Sequence, residues 1–475
     1  MSEEKVAVGR DYTRSNAELA ARWKIDVNRD PWSIPLEELD PAHDDLFGAN
    51  KVLPYFERLR KEDPVHLSET GPYGRYWSIT KYEDVMFVDT NHKLFSSDIR
   101  NGGIRLGGER IEGEPDPLTY LPMFIMEDPP KHDEQRKVVQ PMFTPQNLAA
   151  LEPLIRERAG LILDELPRGE TFNWVREVSV ELTGRTLATL FNVPQEDRHK
   201  LIHWSDTVER IGDPEYFETP EDAFKELWTC WEYFDGVWKD RLKNPGSDLI
   251  SLLAHGESTK NMAPNEYLGN MLLLIVGGND TTRNSITGGV LALNQHPSEY
   301  QKLIDNPGII PNMVSEIIRW QSPVAHMCRT AMEDVEIRGK TIKKWDKVAM
   351  WYVSGNRDDE KIDRANEFLI DREGARHHLC KCGELVVRRF APLGLRELLP
   401  SEAAAHVGLL RSDRTQVGVC RVLARERDLK LVRLLLRRVA PVLSEKSAPR
   451  RVAFWTHRVR VSGLSGAHRA AAALA

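Results

Sequence analysis

The amino-acid sequence predicts a mostly helical domain with a small β-sheet region over residues 30–379. Between residues 129 and 320, apolar residues recur at spacings of three and four, which is the pattern of amphipathic helices. Shorter segments with alternating polarity are typical of strands and flank this helical region. Because neither a Gly/Ser-rich linker nor an internal repeat interrupts the chain before residue 379, we expect one large domain whose core can enclose a sizeable cofactor.

The predicted elements follow one another along the chain. A helix (50–62), a strand (75–80) and a second helix (81–91) precede a Gly- and Pro-rich loop at 101–122. Loops of that length in a compact domain are usually functional or disordered. The remaining elements are five helices and two strands that alternate in polarity like a hairpin, at 148–166, 172–191, 226–243, 265–296, 309–321, 335–342 and 347–353.

The composition limits the classes of function. The 475 residues carry a formal net charge of -7, which gives no sign of a nucleic-acid partner. The polar N-terminal extension, residues 1–29, has neither the apolar core of a signal peptide nor 18 successive apolar residues, so no membrane anchor is expected. Five cysteines, mostly far apart, favour a reducing compartment. We therefore expect a cytoplasmic protein.

The stretch LLLIVGGNDTTRNSI, residues 272–286, places polar and flexible residues inside an otherwise apolar helix. Gly277 and Gly278 would let a broad group lie close to the helix. The Thr281 hydroxyl could bond to a carbonyl one turn back and bend the helix, and Asp280 is costly in an apolar wall unless paired or used. An acid beside an alcohol suits proton delivery to a bound oxygen species. A helix-packing notch with a buried polar network explains the same residues equally well.

Three further motifs carry donors and ion pairs. Glu316 and Arg319 lie three residues apart, so they can pair on one helix face. After a Pro-Pro pair, His132 and Arg136 would lie one turn apart on a helix, where two donors could grip a carboxylate. Arg329 comes shortly before the predicted hairpin. Taken singly, the first pair is a surface ion pair in most proteins, and the second is more typical of a solvated helix start.

In this order and spacing, the motifs resemble those of the cytochrome P450 superfamily of haem-thiolate monooxygenases. The resemblance covers roughly residues 30–379 and implies the cytochrome P450 fold with haem b as cofactor. It implies that Gly277 and Gly278 lie along the haem, and that Asp280 and Thr281 deliver protons while dioxygen is reduced. Further haem contacts, those to the haem carboxylates, are implied for three residues: His132, Arg136 and Arg329.

The resemblance also implies a structural lock. The segment NRDDEKIDRANEFLIDR, residues 356–372, is similar to the irregular segment that follows the sheet in the family. Its Arg372 resembles the arginine that joins Glu316 and Arg319 in a three-residue ion network.

Several segments, among them DPPKHDEQRKVVQPMFTPQNL and QSPVAHMCRTA, resemble a soluble bacterial subfamily that hydroxylates medium-chain alkanes and fatty acids at the terminal carbon. The resemblance implies an apolar substrate, O2, and electrons from a separate ferredoxin and ferredoxin reductase. The absence of a flavin- or NAD-binding motif agrees with separate electron donors. We expect an apolar channel roofed by the loop 101–113 and the helix face 272–278, with Val324 as a further lining residue.

The cysteine loop of the family is missing from the sequence. A Phe-x-x-Gly-x-x-x-Cys-x-Gly pattern is expected about ten residues beyond HHL at 377–379, because its thiolate is the iron ligand. The chain reads HHLCKCGELVVRRFAPLGL instead. Cys380 and Cys382 come too early, whereas Cys420 comes too late and lacks flanking glycines. The metal ligand is therefore unknown from sequence, and Cys420 is the first residue to test if a thiolate binds.

The composition changes at the same point. Residues 380–475 hold 16 Arg and 3 Lys against 2 Asp and 5 Glu, and they lack Ile, Asn, Tyr and Met. This atypical tail is consistent with a frameshift in a GC-rich gene or a chimera, and less so with a basic helical appendix around 428–443. A zinc site at HHLCKC would need a second pair of ligands, which is missing. The alternative to an active monooxygenase is thus a cytochrome P450-like chain that is inactive because it has no thiolate.

Overall fold

The computed structural model describes residues 24–167 and 172–373, together with residue 17 and the strand residues 407–408 and 437–438. Within these residues the chain is mostly helical with a small sheet, so the predicted fold class is confirmed. The helices longer than one 3₁₀ turn are α1 (Asp44–Gly48), α2 (Leu53–Glu62), α3 (Tyr82–Thr90), α4 (Lys131–Val139), α5 (Pro145–Glu165), α6 (Glu181–Leu190), α7 (Arg198–Glu209), α8 (Pro220–Lys243), α9 (Leu249–His255), α10 (Pro264–Gln295), α11 (Pro297–Asp305), α12 (Ile310–Gln321) and α13 (Tyr352–Gly355).

The strands form one mixed sheet and two small ladders. The five-stranded sheet has the order β1-β2-β7-β4-β3, in which β2 and β7 run parallel and the other pairs antiparallel. The strands β5 and β6 pair with each other, as do β8 and β9. Their bounds are β1 (Val65–Ser68), β2 (Tyr76–Ile79), β3 (Phe95–Ser96), β4 (Met327–Ala331), β5 (Val335–Ile337), β6 (Lys340–Ile342), β7 (Lys347–Met350), β8 (Val407–Gly408) and β9 (Arg437–Arg438).

The predicted pairing of 335–342 with 347–353 is wrong. The first segment is a hairpin by itself, in which Ile337 is opposite Lys340 across a two-residue turn. Both turn residues, Arg338 and Gly339, have positive φ, which is the backbone of the tight turns that join twisted strands. The apolar run of β7 instead occupies the middle of the large sheet, where both edges are paired with β2 and β4.

Helix α10 runs through the middle of the domain. Its 32 residues begin after Ala263 and end before His296, within one residue of the predicted 265–296. A proline at the first helical position and Pro297 beyond the end explain why both boundaries could be read from the sequence. The helix is buried on nearly all sides and contributes to two apolar clusters, one with α5 and α12, the other with α7, α8 and α9.

The segment predicted as one helix at 172–191 contains a π-helical part, Val175–Val180, followed by α6. The Thr183 hydroxyl donates to the carbonyl of Ser179 at 2.9 Å and contacts Asn279 Oδ1 on α10 at 2.8 Å. Segments of this kind are frequent next to functional sites because they re-aim side chains. Helix α8 begins earlier than the predicted 226, at a capping box formed by Thr219 and Asp222.

Candidate functional site

The two glycines of α10 have different surroundings. A Cβ atom built on Gly277 meets no other atom within 4 Å, so this position faces open space. A Cβ atom on Gly278 would lie 2.7 Å from Leu187 Cδ2 of α6, so this glycine allows the two helices to pack closely. The Thr281 hydroxyl donates to the Gly277 carbonyl at 2.8 Å, one turn back, as the sequence pattern indicates. The open surface of α10 is therefore on the Gly277 side.

Asp280 is paired within a polar network. Its Oδ1 accepts a hydrogen bond from Arg283 Nη2 at 2.5 Å, and its Oδ2 accepts one from Asn284 Nδ2 at 2.9 Å. The buried Arg283 also donates to Asp206 Oδ1 of α7 at 2.8 Å. Burial opposes the charge of Arg283, but the two carboxylates more than offset it and raise the pKa of the guanidinium above its ordinary value. The network thus runs from Asp280 to the partly exposed Asp206.

Glu316 lies between two arginines in the interior. Arg319 donates to both carboxylate oxygens, each at 2.7 Å, and Arg372 donates to them at 3.0 and 3.4 Å. The backbone N–H of Leu369 adds a bond to Glu316 Oε1 at 2.9 Å. The Glu316 and Arg319 side chains have no exposed surface, and Arg372 is almost completely buried. The three residues that the resemblance joins in a lock are together in the structure.

The arginines of this network also hold the irregular segment 356–372. Arg319 Nη1 donates to the carbonyls of Asn356 and Ala365, at 2.7 and 2.8 Å. Its Nη2 and the Nη2 of Arg372 both donate to the carbonyl of Glu367, at 2.9 and 2.8 Å. Because these carbonyls belong to no helix or strand, the guanidinium groups supply the partners that buried backbone requires. The network therefore fastens the segment to α12.

The three candidate donors for haem carboxylates lie on two elements. His132 and Arg136 are one turn apart on α4, and His132 Nδ1 is 2.8 Å from the carbonyl of Phe124. Arg329 lies on β4 and is buried, with its Nη2 bonded to Asp89 Oδ1 at 2.7 Å. The structure therefore places an anion partner beside Arg329 that the sequence did not indicate.

Apolar side chains from separate segments converge beside the sheet. Ile104 from the loop 101–113, Leu273 from α10, and Val324 after α12 are each partly buried against one apolar cluster of the sheet. Met123 and Met327 pack against the same cluster. The loop, the helix face and Val324, which are expected to line a channel, thus each contribute a side chain to one apolar cluster.

The described cysteines are poor thiolates. Cys230 on α8 and Cys328 on β4 are both buried. Burial raises the pKa of Cys328 to about 12 despite the nearby cations Lys347 and Arg329, and burial raises the pKa of Cys230 as well. Cys380, Cys382 and Cys420 lie outside the described residues. Among residues 24–167 and 172–373, no group of three His, Cys, Asp or Glu side chains could hold a metal ion.

A long central helix with an acid–alcohol pair, an apolar cluster beside it and an ion-locked segment after the sheet agree with the haem-dependent monooxygenases that the sequence motifs resemble. Comparison with known proteins gives the family, although no family model matches the chain. The linalool 8-monooxygenase of Pseudomonas putida is 35% identical over 372 residues, which cover 76% of this chain and 90% of that protein. The chain belongs to the cytochrome P450 family of monooxygenases, which are oxidoreductases with a haem cofactor.

Other relatives and solved structures agree. The methyl-branched lipid omega-hydroxylase of Mycobacterium tuberculosis is 30% identical and spans 79% of this chain and 91% of its own length. The structure of cytochrome P450-153 from Novosphingobium aromaticivorans has a TM-score of 0.72 and 36% identity, and covers 82% of this chain and 97% of that one. CYP153D17 from Sphingomonas sp. PAMC 26605 also has a TM-score of 0.72, with 38% identity and coverage of 79% and 94%.

Some site residues were not singled out from the sequence. Arg283 and Asn284 follow Asp280 by three and four residues, the spacing of neighbours on a helix, so the pattern could have indicated them. Asp206 and Asp89 belong to distant elements, and no local signal connects them with their arginines.

Within the part of the chain that the structure describes, no helix is long and apolar enough to cross a membrane.

Glu316→Gln is expected to lower the free energy of unfolding by about 3–5 kcal/mol, because two buried arginines lose their counter-charge. The matched control is Glu367→Gln, which removes the exposed ion pair with Arg364 in the same region and should cost at most about 1 kcal/mol. The free energy of unfolding of each variant is measured by urea unfolding of the full chain, with circular dichroism as the signal. Equal losses in the two variants would contradict the structural role of Glu316.

Gly277→Ala and Gly278→Ala are expected to change the free energy of unfolding in opposite directions. Alanine at 277 should raise the free energy of unfolding by up to about 1 kcal/mol, because it favours the helix and meets no neighbour. Alanine at 278 gains the same propensity but crowds Leu187, which costs about 1–3 kcal/mol. If Gly277 lies along the haem, its variant should also bind added haem more weakly. Equal stabilisation by both variants would show that the Gly278 contact is unimportant.

Proposed function

We propose that this domain is built to hydroxylate apolar aliphatic chains, medium-chain alkanes or fatty acids, at the terminal carbon. The proposal is supported by the packing of Ile104, Leu273 and Val324, from three separate segments, against one apolar cluster of the sheet. Apolar side chains of this kind bind methylene chains by burial. Relatives described as acting on linalool, methyl-branched lipids and steroids support an apolar substrate.

The described residues fit the haem on the side of α10. Open space at Gly277 leaves room for a flat group against the helix, and His132, Arg136 and Arg329 would hold its carboxylates. When bound, the haem supplies dioxygen reduction and C–H oxidation. Ferredoxin and ferredoxin reductase are proposed as the electron donors, in agreement with the absence of a flavin- or NAD-binding motif.

Thr281 and Asp280 are proposed to move protons. Thr281 lies one turn after Gly277, and its hydroxyl donates a hydrogen bond to the carbonyl of that glycine. The Thr281 hydroxyl is therefore close to the open space beside Gly277. Asp280 is fixed by Arg283 and Asn284 and is linked to Asp206, whose side chain reaches solvent. A carboxylate and a hydroxyl in this order can pass protons inward while the apolar surface excludes bulk water.

A second function is favoured by a specific observation. The sequence has no cysteine loop of the family type, and the described cysteines, Cys230 and Cys328, are buried with raised pKa values. Without a thiolate, the chain would keep the fold and the apolar pocket but would not catalyse hydroxylation. Such a chain would be a catalytically inactive relative that still binds apolar molecules.

The proposed activity is tested by incubating the full chain with dodecane or dodecanoic acid, ferredoxin, ferredoxin reductase, NADH and ¹⁸O₂. A terminal alcohol that carries ¹⁸O is the expected product. Substrate binding without any product would favour the inactive alternative. Binding of hydrophilic, charged molecules with no binding of alkanes or fatty acids would contradict both.

Thr281→Ala is expected to uncouple any activity, with peroxide released in place of alcohol, because proton delivery loses its hydroxyl. The matched control is Thr282→Ala, which removes the neighbouring buried hydroxyl on the face toward α6. Peroxide and alcohol are measured per NADH consumed. Unchanged coupling in the Thr281 variant, or equal uncoupling in both variants, would exclude a special role for Thr281.

Leu273→Ala is expected to weaken the binding of dodecanoic acid about tenfold, because it removes apolar contact area from the pocket wall. Equilibrium dialysis with labelled ligand measures this without any turnover. Leu242→Ala serves as the control, since Leu242 is an exposed leucine on α8. An equal dissociation constant in the Leu273 variant and the parent chain would place the binding surface elsewhere.

A further inference from the structure

The Gly-rich loop 101–113 is attached to the sheet at its first residues. The hydroxyl of Thr330 donates to the carbonyl of Asn101 at 2.6 Å. The ammonium of Lys347 donates to the carbonyls of Gly102 and Gly103, each at 2.6 Å. Thr330 on β4 lies opposite Lys347 on β7, so their side chains share one face of the sheet. We call these two residues the loop clamp.

The clamped residues form a tight turn that continues into the pocket wall. Gly102 and Gly103 have φ of 102° and 61°, which favours glycine. A Cβ atom on Gly108 would lie 1.9 Å from the Gly102 carbonyl oxygen, so the loop folds back against the clamped turn. Ile104 follows Gly103 in the chain, and its carbonyl accepts a hydrogen bond from the Cys328 N–H at 2.8 Å.

The loop clamp and the Cys328 N–H therefore hold Ile104 together, the clamp from the turn that precedes it. This isoleucine packs against the apolar cluster of the sheet, as do Leu273, Val324 and Met123. Leu273 is fixed by α10, whereas Ile104 lies outside the helices and strands and is held to the sheet by the Cys328 N–H at its own carbonyl and by the loop clamp at the residues just before it. A shift of the turn would move Ile104 and change the depth of the apolar surface.

Stability alone does not favour a lysine at position 347. Its ammonium forms no ion pair with a carboxylate in the described part of the chain. Burial, with a smaller contribution from the neighbouring Arg329, lowers the pKa of Lys347 to about 8. Residues that are locally costly are expected where they serve a function. At this position the lysine donates hydrogen bonds to two successive loop carbonyls.

We propose that Lys347, together with Thr330, is a positioning residue that sets the chain-length selectivity of the apolar pocket by fixing Ile104. The proposal rests on the proposed function, because it assumes that the surface around Ile104 receives aliphatic chains. It concerns the wall of the pocket and not the reacting atoms, so binding measurements test it without turnover.

The test compares the full chain with Lys347→Met and Thr330→Val. Deuterium exchange at the amides of Gly103 and Ile111 is measured by mass spectrometry, since both amides donate to carbonyls within or beside the loop. In Lys347→Met, exchange should become at least about tenfold faster, because two charge-assisted hydrogen bonds are lost. Thr330→Val should also make the exchange faster, but by a smaller factor.

The second measurement is of ligand affinity. Dissociation constants for saturated fatty acids of 8 to about 16 carbons are measured by equilibrium dialysis.

The expected result is a selectivity profile that becomes at least about threefold flatter across these chain lengths in Lys347→Met, with Lys347→Arg restoring most of it. Lys344→Met is the matched control, since Lys344 is exposed and near Trp345, and it should change neither readout. Faster exchange with an unchanged profile would overturn the proposal, and so would unchanged exchange. If the unmodified chain binds none of the acids, the proposed function itself fails. The exchange rates still show whether Lys347 holds the loop, so the two failures can be distinguished.

Discussion

The carboxylate of Glu316 is the interaction on which the order of the second half of the domain depends. It accepts hydrogen bonds from Arg319, Arg372 and the backbone of Leu369, in a place without solvent. One acid faces two arginines, so the remaining positive charge must be balanced by the carbonyl dipoles of 356–372. Removing any one partner leaves buried charge behind, and the irregular segment therefore has one arrangement.

A second set of polar contacts lies on the central helix α10. Helix α10 presents the open position at Gly277 and the hydroxyl of Thr281, while its other face packs on α6 through Gly278. The polar network of Asp280 serves both interpretations of the motif, because the same bonds that satisfy buried groups also lead to the surface at Asp206. Packing and proton transfer are therefore compatible uses of one set of residues.

Much of the fold could be predicted where the sequence signal is local. The ends of α10 are set by prolines, and Glu316 and Arg319 have helical spacing, so both could be read directly. The pairing of β7 could not, because alternation says that a segment is a strand but not which strands lie beside it. The different surroundings of Gly277 and Gly278 depend on Leu187, and the grip of Lys347 depends on a loop more than 240 residues away. Such contacts are set by tertiary packing and leave no local pattern.

We propose that the described domain binds haem on the side of α10, whereas the sequence after residue 379 contains no thiolate loop of the family type. The most direct measurement is the carbon monoxide difference spectrum of the reduced, purified full chain, beside a chimera with a family-type tail after Leu379. Little or no thiolate-type spectrum is expected from the chain as written, and a normal one from the chimera. A normal thiolate spectrum from the unmodified chain would contradict it, and Cys420 would then be the first ligand to test.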